Sequence, residues 1–256
     1  MVLSIGAFVV GLIIGSFLNV CIWRLPAGES IVYPPSHCPQ CKTRIRWWDN
    51  VPLLSYVWLR GRCRACGDRI SLRYPAVEVG TGFVAVVLLY WFGPTPRLGV
   101  YGVFLCALIV ISLIDFDHQI IPDVISLPGI VVGLICSAAG FAVGLLPSFI
   151  GVLLGGGILY AVAVGYHALT GREGMGGGDI KLLAMIGAFL GWRGVLVTLL
   201  LGSLTGALIG MALIAIRGGD TRLPIPFGPF LALGAVCALL FGDALITWYL
   251  HLALSM

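Results

Sequence analysis

The chain has 256 residues and a net charge of +4, and 59% of its residues are hydrophobic while only 10% are charged. A soluble domain of ordinary composition carries about 25% charged residues. The composition therefore excludes a soluble globular protein and predicts an all-α, polytopic membrane protein. The lipid bilayer is its first expected partner, and no nucleic-acid partner is expected.

Residues 1–23 are predicted to form the first transmembrane span. The segment is apolar and has no Lys or Arg before Arg24, whereas a secretory signal begins with positive charge. We therefore expect a retained span whose N-terminus lies outside the cytoplasm. Arg24 is predicted to anchor it, with the side-chain stem in lipid and the guanidinium in water.

Apolar runs of about 20 residues, the length that crosses a bilayer, continue along the chain. A shorter apolar piece at 180–191 would extend only about 18 Å as a helix, against a hydrocarbon core of about 30 Å. Counting this piece and the first span, we predict about eight transmembrane segments. The full-length spans are predicted at 74–92, 98–115, 124–144, 146–166, 194–216 and 229–250.

The distribution of Lys and Arg predicts the orientation. Of the 15 such residues, 13 fall in four loops that alternate onto one face of the membrane. Positive charge marks cytoplasmic loops, so we expect this face to be cytoplasmic. The four loops are 24–73, 116–123, 167–181 and 217–228.

The loop 24–73 is the only predicted soluble module, and it carries two CxxC pairs. Cys38 and Cys41 form the first pair, and Cys63 and Cys66 follow after 21 intervening residues. This spacing is typical of a zinc ribbon with a tetrahedral four-cysteine site. About 50 residues bury little core, so a structural metal would have a physical purpose.

Two other interpretations of the cysteine loop remain open, a disulfide pair and free thiols. Disulfides are rare in a reducing cytoplasm, where the charge distribution places this loop. His37 adjoins Cys38 and is a possible substitute ligand, although an exposed loop histidine is the simpler interpretation.

Two acidic stretches lie at the edges of apolar segments, on the predicted cytoplasmic side. The first contains Asp115, Asp117 and Asp123. Ionisable groups at the border of a span are costly and mark candidate functional sites. Asp123 follows Pro122 and precedes an apolar run, so a helix N-cap is predicted there. Asp117 and Asp123 are expected to be supporting or interfacial acids.

The second stretch contains Asp179, which follows three glycines and begins the short apolar segment. Gly176, Gly177 and Gly178 present no side chain, so another backbone could approach closely. Such a loop at membrane depth is tolerated only where it lines a cavity. Lys181 is predicted to lie at the interface, and it could also tune the acid.

We predict that Asp115 and Asp179 meet and act as a proteolytic pair. Hydrolysis by two carboxylates needs one ionised base and one protonated acid, and two close carboxylates supply both because they share a proton. A competing prediction from another class is an ion- or metal-coupled transporter, since paired acids and broken helices also suit transporters. The absence of a clear repeat and the clustering of the acids at one face favour the protease.

At these residues the chain resembles the bacterial type IV prepilin peptidases. The matching segments are GSFLNVCIWRLP at the first span, the paired CxxC, IDFDHQIIPD, and a GxGD motif followed by KLLAMIGAFLG. The resemblance covers nearly the whole chain and implies a GxGD-type aspartic protease with Asp115 and Asp179 as catalytic residues. Asp117 could in principle be the first acid, but the family pattern matches Asp115.

The resemblance also implies the substrate, the cofactors and the location. The expected substrates are type IV prepilins or pseudopilins, cut after the Gly that ends a short basic leader, at the cytoplasmic face of the bacterial inner membrane. S-adenosylmethionine would serve a second activity, N-methylation of the new N-terminus. A GxGD protease for other leader peptides is the nearest alternative. The predicted domains are 1–23, the zinc module 24–73 and the catalytic domain 74–256, and the sequence assigns no oligomeric state.

Overall fold

A computed structural model describes residues 1–171, 176–216 and 225–254. The chain is all-helical, and the described residues contain no β-strand beyond two isolated bridges. This confirms the predicted fold class. The helices are α1 (Val2–Arg24), α2 (Leu54–Trp58), α3 (Arg73–Phe92), α4 (Pro96–His118), α5 (Asp123–Ala138), α6 (Leu145–Thr170), α7 (Gly177–Ile216) and α8 (Gly228–Leu254).

Six of the described helices are long and apolar enough to cross a membrane: α1, α3, α4, α6, α7 and α8. The apolar helix α5 is shorter, with 16 residues. Large apolar side chains such as Phe149, Leu200 and Leu204 are exposed, as expected of surfaces that face lipid rather than water. The protein is therefore a multi-pass membrane protein.

The chain divides into two compact units, Met1–Cys106 and Ala107–Met256. In the first unit α1 packs closely on α3. A Cβ atom on Gly11 would lie 2.6 Å from Cα of Gly82, and one on Gly15 would lie 2.6 Å from Cα of Glu78. Small residues four apart thus let the two backbones approach, as expected for helices in lipid.

Arg24 does not extend into water as predicted. It is buried, with 5% exposure, and its guanidinium donates hydrogen bonds to the carbonyls of Ser30 at 2.8 Å and Pro34 at 2.7 Å. The chain folds back over the end of α1 and supplies these acceptors. Burial of the charged group is tolerated because its donors are paired.

In the second unit α7 packs against α5, α6 and α8. Its helical geometry is interrupted at Gly191, where φ is 68° and ψ is −179°, a conformation that favours glycine. The first part of α7 is the predicted short segment, and residues 182–191 are all buried. The central helix of this unit is therefore a short, enclosed one followed by a longer one.

Glycines set the spacing around α7. A Cβ atom on Gly155 would lie 2.5 Å from the carbonyl oxygen of Leu183, which fixes the approach of α6. A Cβ atom on Gly202 would lie 3.1 Å from the carbonyl oxygen of Phe230 in α8. The 194–216 span therefore packs tightly, with α8 as its neighbour.

We expect Gly151→Ala to destabilise the second unit. The added Cβ would lie 2.5 Å from the carbonyl oxygen of Gly187, and backbone cannot move aside without separating α6 from α7. Overpacking of this kind costs about 1–3 kcal/mol, measurable as a lower thermal unfolding midpoint. Gly157→Ala on the same helix is the control, because its Cβ would meet nothing within 4 Å. An equal effect of both substitutions would contradict this account of the packing.

One predicted boundary is wrong. The span predicted at 124–144 ends at Ala138, and a turn at 139–144 precedes α6. Gly140 and Gly144 both have positive φ there, which suits a turn and not a helix. Three of the positively charged residues that predict the orientation, Arg172, Arg217 and Arg222, lie outside the described residues.

Candidate active site

Asp115 lies in the last turn of α4 and is buried, with 5% exposure. Among the described side chains of the second unit, no other carboxylate is as buried. Its Oδ2 accepts a hydrogen bond from the backbone N–H of Gly228 at 2.9 Å. Gly228 is the first residue of α8. The acid is therefore enclosed and attached to the start of another apolar helix.

Asp179 is the third residue of α7 and is half-buried. Its backbone N–H donates to the carbonyl of Gly176 at 3.3 Å. Asp115 is near enough for its charge to act on Asp179. The structure thus brings together the two acids that the sequence paired, at the ends of α4 and α7.

The glycines before Asp179 differ in their surroundings. A Cβ atom on Gly178 would lie 2.8 Å from Cβ of Ile121, whereas one on Gly177 would meet nothing within 4 Å. At Gly176 the nearest atom is the Gly178 nitrogen, at 4.0 Å. Close approach is therefore required only at Gly178, and the approaching group is a side chain rather than the expected backbone.

Lys181 and Asp123 form an ion pair, in which Nζ lies 2.7 Å from both carboxylate oxygens. The predicted N-cap role of Asp123 is wrong: Pro122 occupies the cap position without a side-chain hydrogen bond, and Asp123 lies in the first turn. Because both partners are partly exposed, the pair is worth at most about 1 kcal/mol. It joins the start of α5 to the start of α7.

Asp117 is exposed, two residues beyond the buried Asp115 on the same helix. Residues two positions apart on a helix point in different directions. Of the two acids in this turn, Asp115 is the one whose side chain is enclosed near Asp179.

The sequence does not single out Gly228 as a site residue. The one signal in the sequence that could have indicated Gly228 is its position directly before Pro229, at the start of the last apolar run. Nothing in the sequence connects it to Asp115, which is 113 residues away.

In the first unit, the sulfurs of Cys38, Cys41, Cys63 and Cys66 all lie within 4.8 Å of one another. None of them is in a disulfide. Tetrahedral coordination with Zn–S bonds of about 2.3 Å would bring sulfurs to similar separations, so the four thiols fit one metal ion. His37 is not part of the cluster; its Nδ1 lies 3.3 Å from the carbonyl of Pro35.

Two matching turns present these cysteines. The backbone N–H of Cys38 donates to Thr43, and that of Cys63 donates to Asp68. The residue after each second cysteine, Lys42 or Gly67, has positive φ. Each CxxC pair thus closes a tight turn that directs two sulfurs to the same point.

The turns favour the thiolate, the form that binds metals, at two of the cysteines. Hydrogen bonds from Thr43 lower the pKa of Cys41 to about 6. Backbone N–H groups of Cys66 and Ala65 lower the pKa of Cys63. For Cys66, a hydrogen bond with the backbone of Asp68 lowers the pKa, but desolvation and the three neighbouring thiols outweigh it and raise the pKa to about 12. A metal ion would displace this last proton.

Comparison with known proteins assigns the chain to a family. Residues 102–211 match the family model "Type IV leader peptidase family", and residues 9–92 match "Bacterial Peptidase A24 N-terminal domain". A prepilin leader peptidase/N-methyltransferase of Pseudomonas putida is 42% identical, over 93% of this chain and 90% of the relative. The chain belongs to the type IV leader peptidase family.

Further relatives with the same name are equally well covered. The protein of Pseudomonas aeruginosa is 40% identical over 95% of this chain and 92% of its own length, and so is that of Aeromonas salmonicida. No solved structure matches. Within the type IV leader peptidase family, the N-terminal model spans the four cysteines and the second model spans both acids, whereas Gly228 lies beyond either match.

Proposed function

We propose that this chain is a membrane aspartic endopeptidase that removes the short basic leader, after its Gly, from type IV prepilins or pseudopilins. The observation that carries the proposal is the pairing of buried Asp115 with Asp179 at the ends of two apolar helices. Relatives about 40% identical over nearly the whole chain are named prepilin leader peptidase/N-methyltransferase.

The chemistry follows from the two carboxylates. With one proton between them, the ionised acid removes a proton from water and the protonated acid polarises the peptide carbonyl. Enclosure at the helix ends strengthens the interactions of both carboxylates with the substrate, because charges interact more strongly where the dielectric constant is lower than in water. Gly176 and Gly177 leave room beside Asp179 for an extended substrate, whereas Gly178 packs against Ile121. Lys181 with Asp123 holds the neighbouring helix starts together.

The cysteine cluster supports a structural zinc site. Cys38, Cys41, Cys63 and Cys66 would hold the ion, and four protein sulfurs leave no coordination position open. Zinc would supply folding energy to a loop that buries little core. No step of the hydrolysis is assigned to it.

The second proposed activity is methylation of the amino group that cleavage releases, and S-adenosylmethionine would supply the methyl group. A cleft of about 340 Å³ in the first unit has no carboxylate among its lining residues, which include Phe17, Arg24 and Asn50. A carboxylate commonly binds the ribose of nucleotide cofactors. The cleft does not fit that pattern, so no residue is assigned to the methyl donor.

The proposed location is the bacterial inner membrane, with the acids and the cysteine loop on the cytoplasmic side. The Lys and Arg distribution along the sequence supports this orientation. The proposed partners are the prepilin or pseudopilin substrates and the bilayer. The nearest alternative is a protease of the same mechanism that acts on other leader peptides.

A test of the proposed function uses the purified protein in lipid vesicles with a full-length prepilin. Mass spectrometry should show loss of the leader at the bond after its Gly and, with methyl-labelled S-adenosylmethionine, one added methyl group on the new N-terminus. A prepilin whose leader Gly is replaced is the control. An intact prepilin after prolonged incubation would refute the peptidase assignment, and cleavage elsewhere would favour another leader peptide as substrate.

A further inference from the structure

We propose that the backbone N–H of Gly228, at the start of α8, holds Asp115 as the ionised member of the acid pair, so that Asp179 carries the proton. Gly228 is then a positioning residue for the reaction. This inference rests on the proposed function for its chemistry, but the contact itself stands on the geometry alone.

The geometry leaves no space for a side chain at position 228. A Cβ atom there would lie 2.6 Å from Oδ2 of Asp115 and 3.2 Å from its carboxyl carbon. The oxygen also lies 2.9 Å from the Gly228 nitrogen and is buried. Gly228 does not have the positive φ that would otherwise explain a glycine. Its small size is therefore explained by the approach of this carboxylate.

The start of α8 offers few other donors. The residue after Gly228 is Pro229, which has no N–H, and the N–H groups of Phe230 and Leu231 both donate to the carbonyl of Phe227. The N–H of Gly228 therefore points out of the first turn, and Asp115 accepts its hydrogen bond. A backbone N–H and the positive end of a helix both stabilise the ionised form of a carboxylate.

The other acid lacks such a donor in the described part of the chain. Asp179 lies in the first turn of α7, whose dipole favours its charge, whereas Asp115 lies in the last turn of α4, whose dipole opposes its charge. The interaction that distinguishes Asp115 is the direct backbone hydrogen bond from the start of α8. The repulsion between the two carboxylates is mutual and disfavours a second charge on the pair, and the hydrogen bond from Gly228 assigns the single charge to Asp115. The shared proton therefore belongs to Asp179.

This assignment fixes the direction of each proton transfer. Asp115 takes a proton from water as the water oxygen bonds to the peptide carbonyl carbon, and the proton of Asp179 passes to the carbonyl oxygen. The C–N bond then breaks as Asp115 returns its proton to the departing amine. One hydroxyl of the intermediate gives its proton to Asp179 and re-forms the carbonyl of the new carboxylic acid. The pair ends in its starting state.

The contact is tested first without reference to activity. Gly228→Ala should lower the thermal unfolding midpoint of the full chain by at least about 3 °C, because the new Cβ collides with the Asp115 carboxylate. In an Asp115→Ala background, which removes the collision, most of that loss should disappear. Gly242→Ala in the same helix is the control, since its Cβ would meet nothing within 4 Å. An equal loss in both backgrounds would refute the contact.

The positioning role is tested by kinetics of prepilin cleavage. Gly228→Ala should lower kcat by at least about a hundredfold and leave KM within about threefold, while Gly242→Ala keeps both. An unchanged kcat would overturn the positioning role while leaving the proposed function intact. If the wild type does not cleave prepilin, the proposed function fails, and the unfolding measurements still decide the contact.

The residual activities of two variants test the assignment of the proton. Asn cannot take a proton from water, but its amide N–H can still polarise a carbonyl. Asp179→Asn should therefore retain about tenfold more cleavage activity than Asp115→Asn, a difference within the usual range of acid–base effects. The reverse order would overturn the assignment of the proton to Asp179.

Discussion

Replacing either Asp115 or Asp179 by Asn is expected to lower the rate of leader cleavage by at least about a hundredfold. Asn has nearly the same size as Asp, so the enclosed volume around residue 115 is preserved. Each substitution removes a proton acceptor or a proton donor that the mechanism needs. The measurement is single-turnover cleavage of a prepilin by purified variants in vesicles, with substrate affinity measured separately.

Asp117→Asn and Asp243→Asn are the matched controls. Asp117 lies two residues from Asp115 but is exposed, and Asp243 is exposed on α8. Both variants should cleave within a few-fold of the wild type. Near-normal cleavage by Asp115→Asn together with a loss in Asp117→Asn would move the first catalytic acid to Asp117.

Replacing Cys41 by Ser is expected to abolish stoichiometric zinc binding and to unfold the segment between the two CxxC turns. The wild type should contain about one zinc ion per chain, bound by four sulfurs that lie within 4.8 Å of one another. Structural zinc sites contribute their binding free energy directly to folding. Metal analysis and limited proteolysis of the 38–69 segment measure the two effects.

Cys237→Ser is the control for this substitution, because Cys237 lies in α8 and outside the cluster. It should retain the zinc and the protease resistance. A wild type without bound metal, or a Cys41→Ser protein with its full zinc content, would contradict the four-cysteine site. Removal of the metal by a chelator should reproduce the proteolysis seen with Cys41→Ser.

Local sequence patterns predicted much of this fold. Apolar runs of membrane-spanning length predicted the long helices, and the short run before Gly191 predicted the interrupted helix α7. The CxxC spacing predicted four sulfurs at one point. These features depend on periodicity and length over a short stretch, so the sequence contains them directly.

Three contacts could not be predicted because their partners are distant or depend on how the chain turns. Asp123 is bound by Lys181, 58 residues away, and Asp115 by Gly228. Arg24 is enclosed by carbonyls of the loop that follows it. An apolar periodicity shows which face of a helix is buried, but it does not show which atom of a distant segment meets a given side chain.

The pH dependence of leader cleavage tests most directly the claim that Asp115 and Asp179 share one catalytic proton. At acidic pH both acids are protonated and no base is available; at alkaline pH both are ionised and no acid is available. A shared proton therefore predicts a bell-shaped profile of the cleavage rate at saturating prepilin, with activity recovered when each sample is returned to the optimum. A rate that stays constant across both limbs would contradict the shared proton.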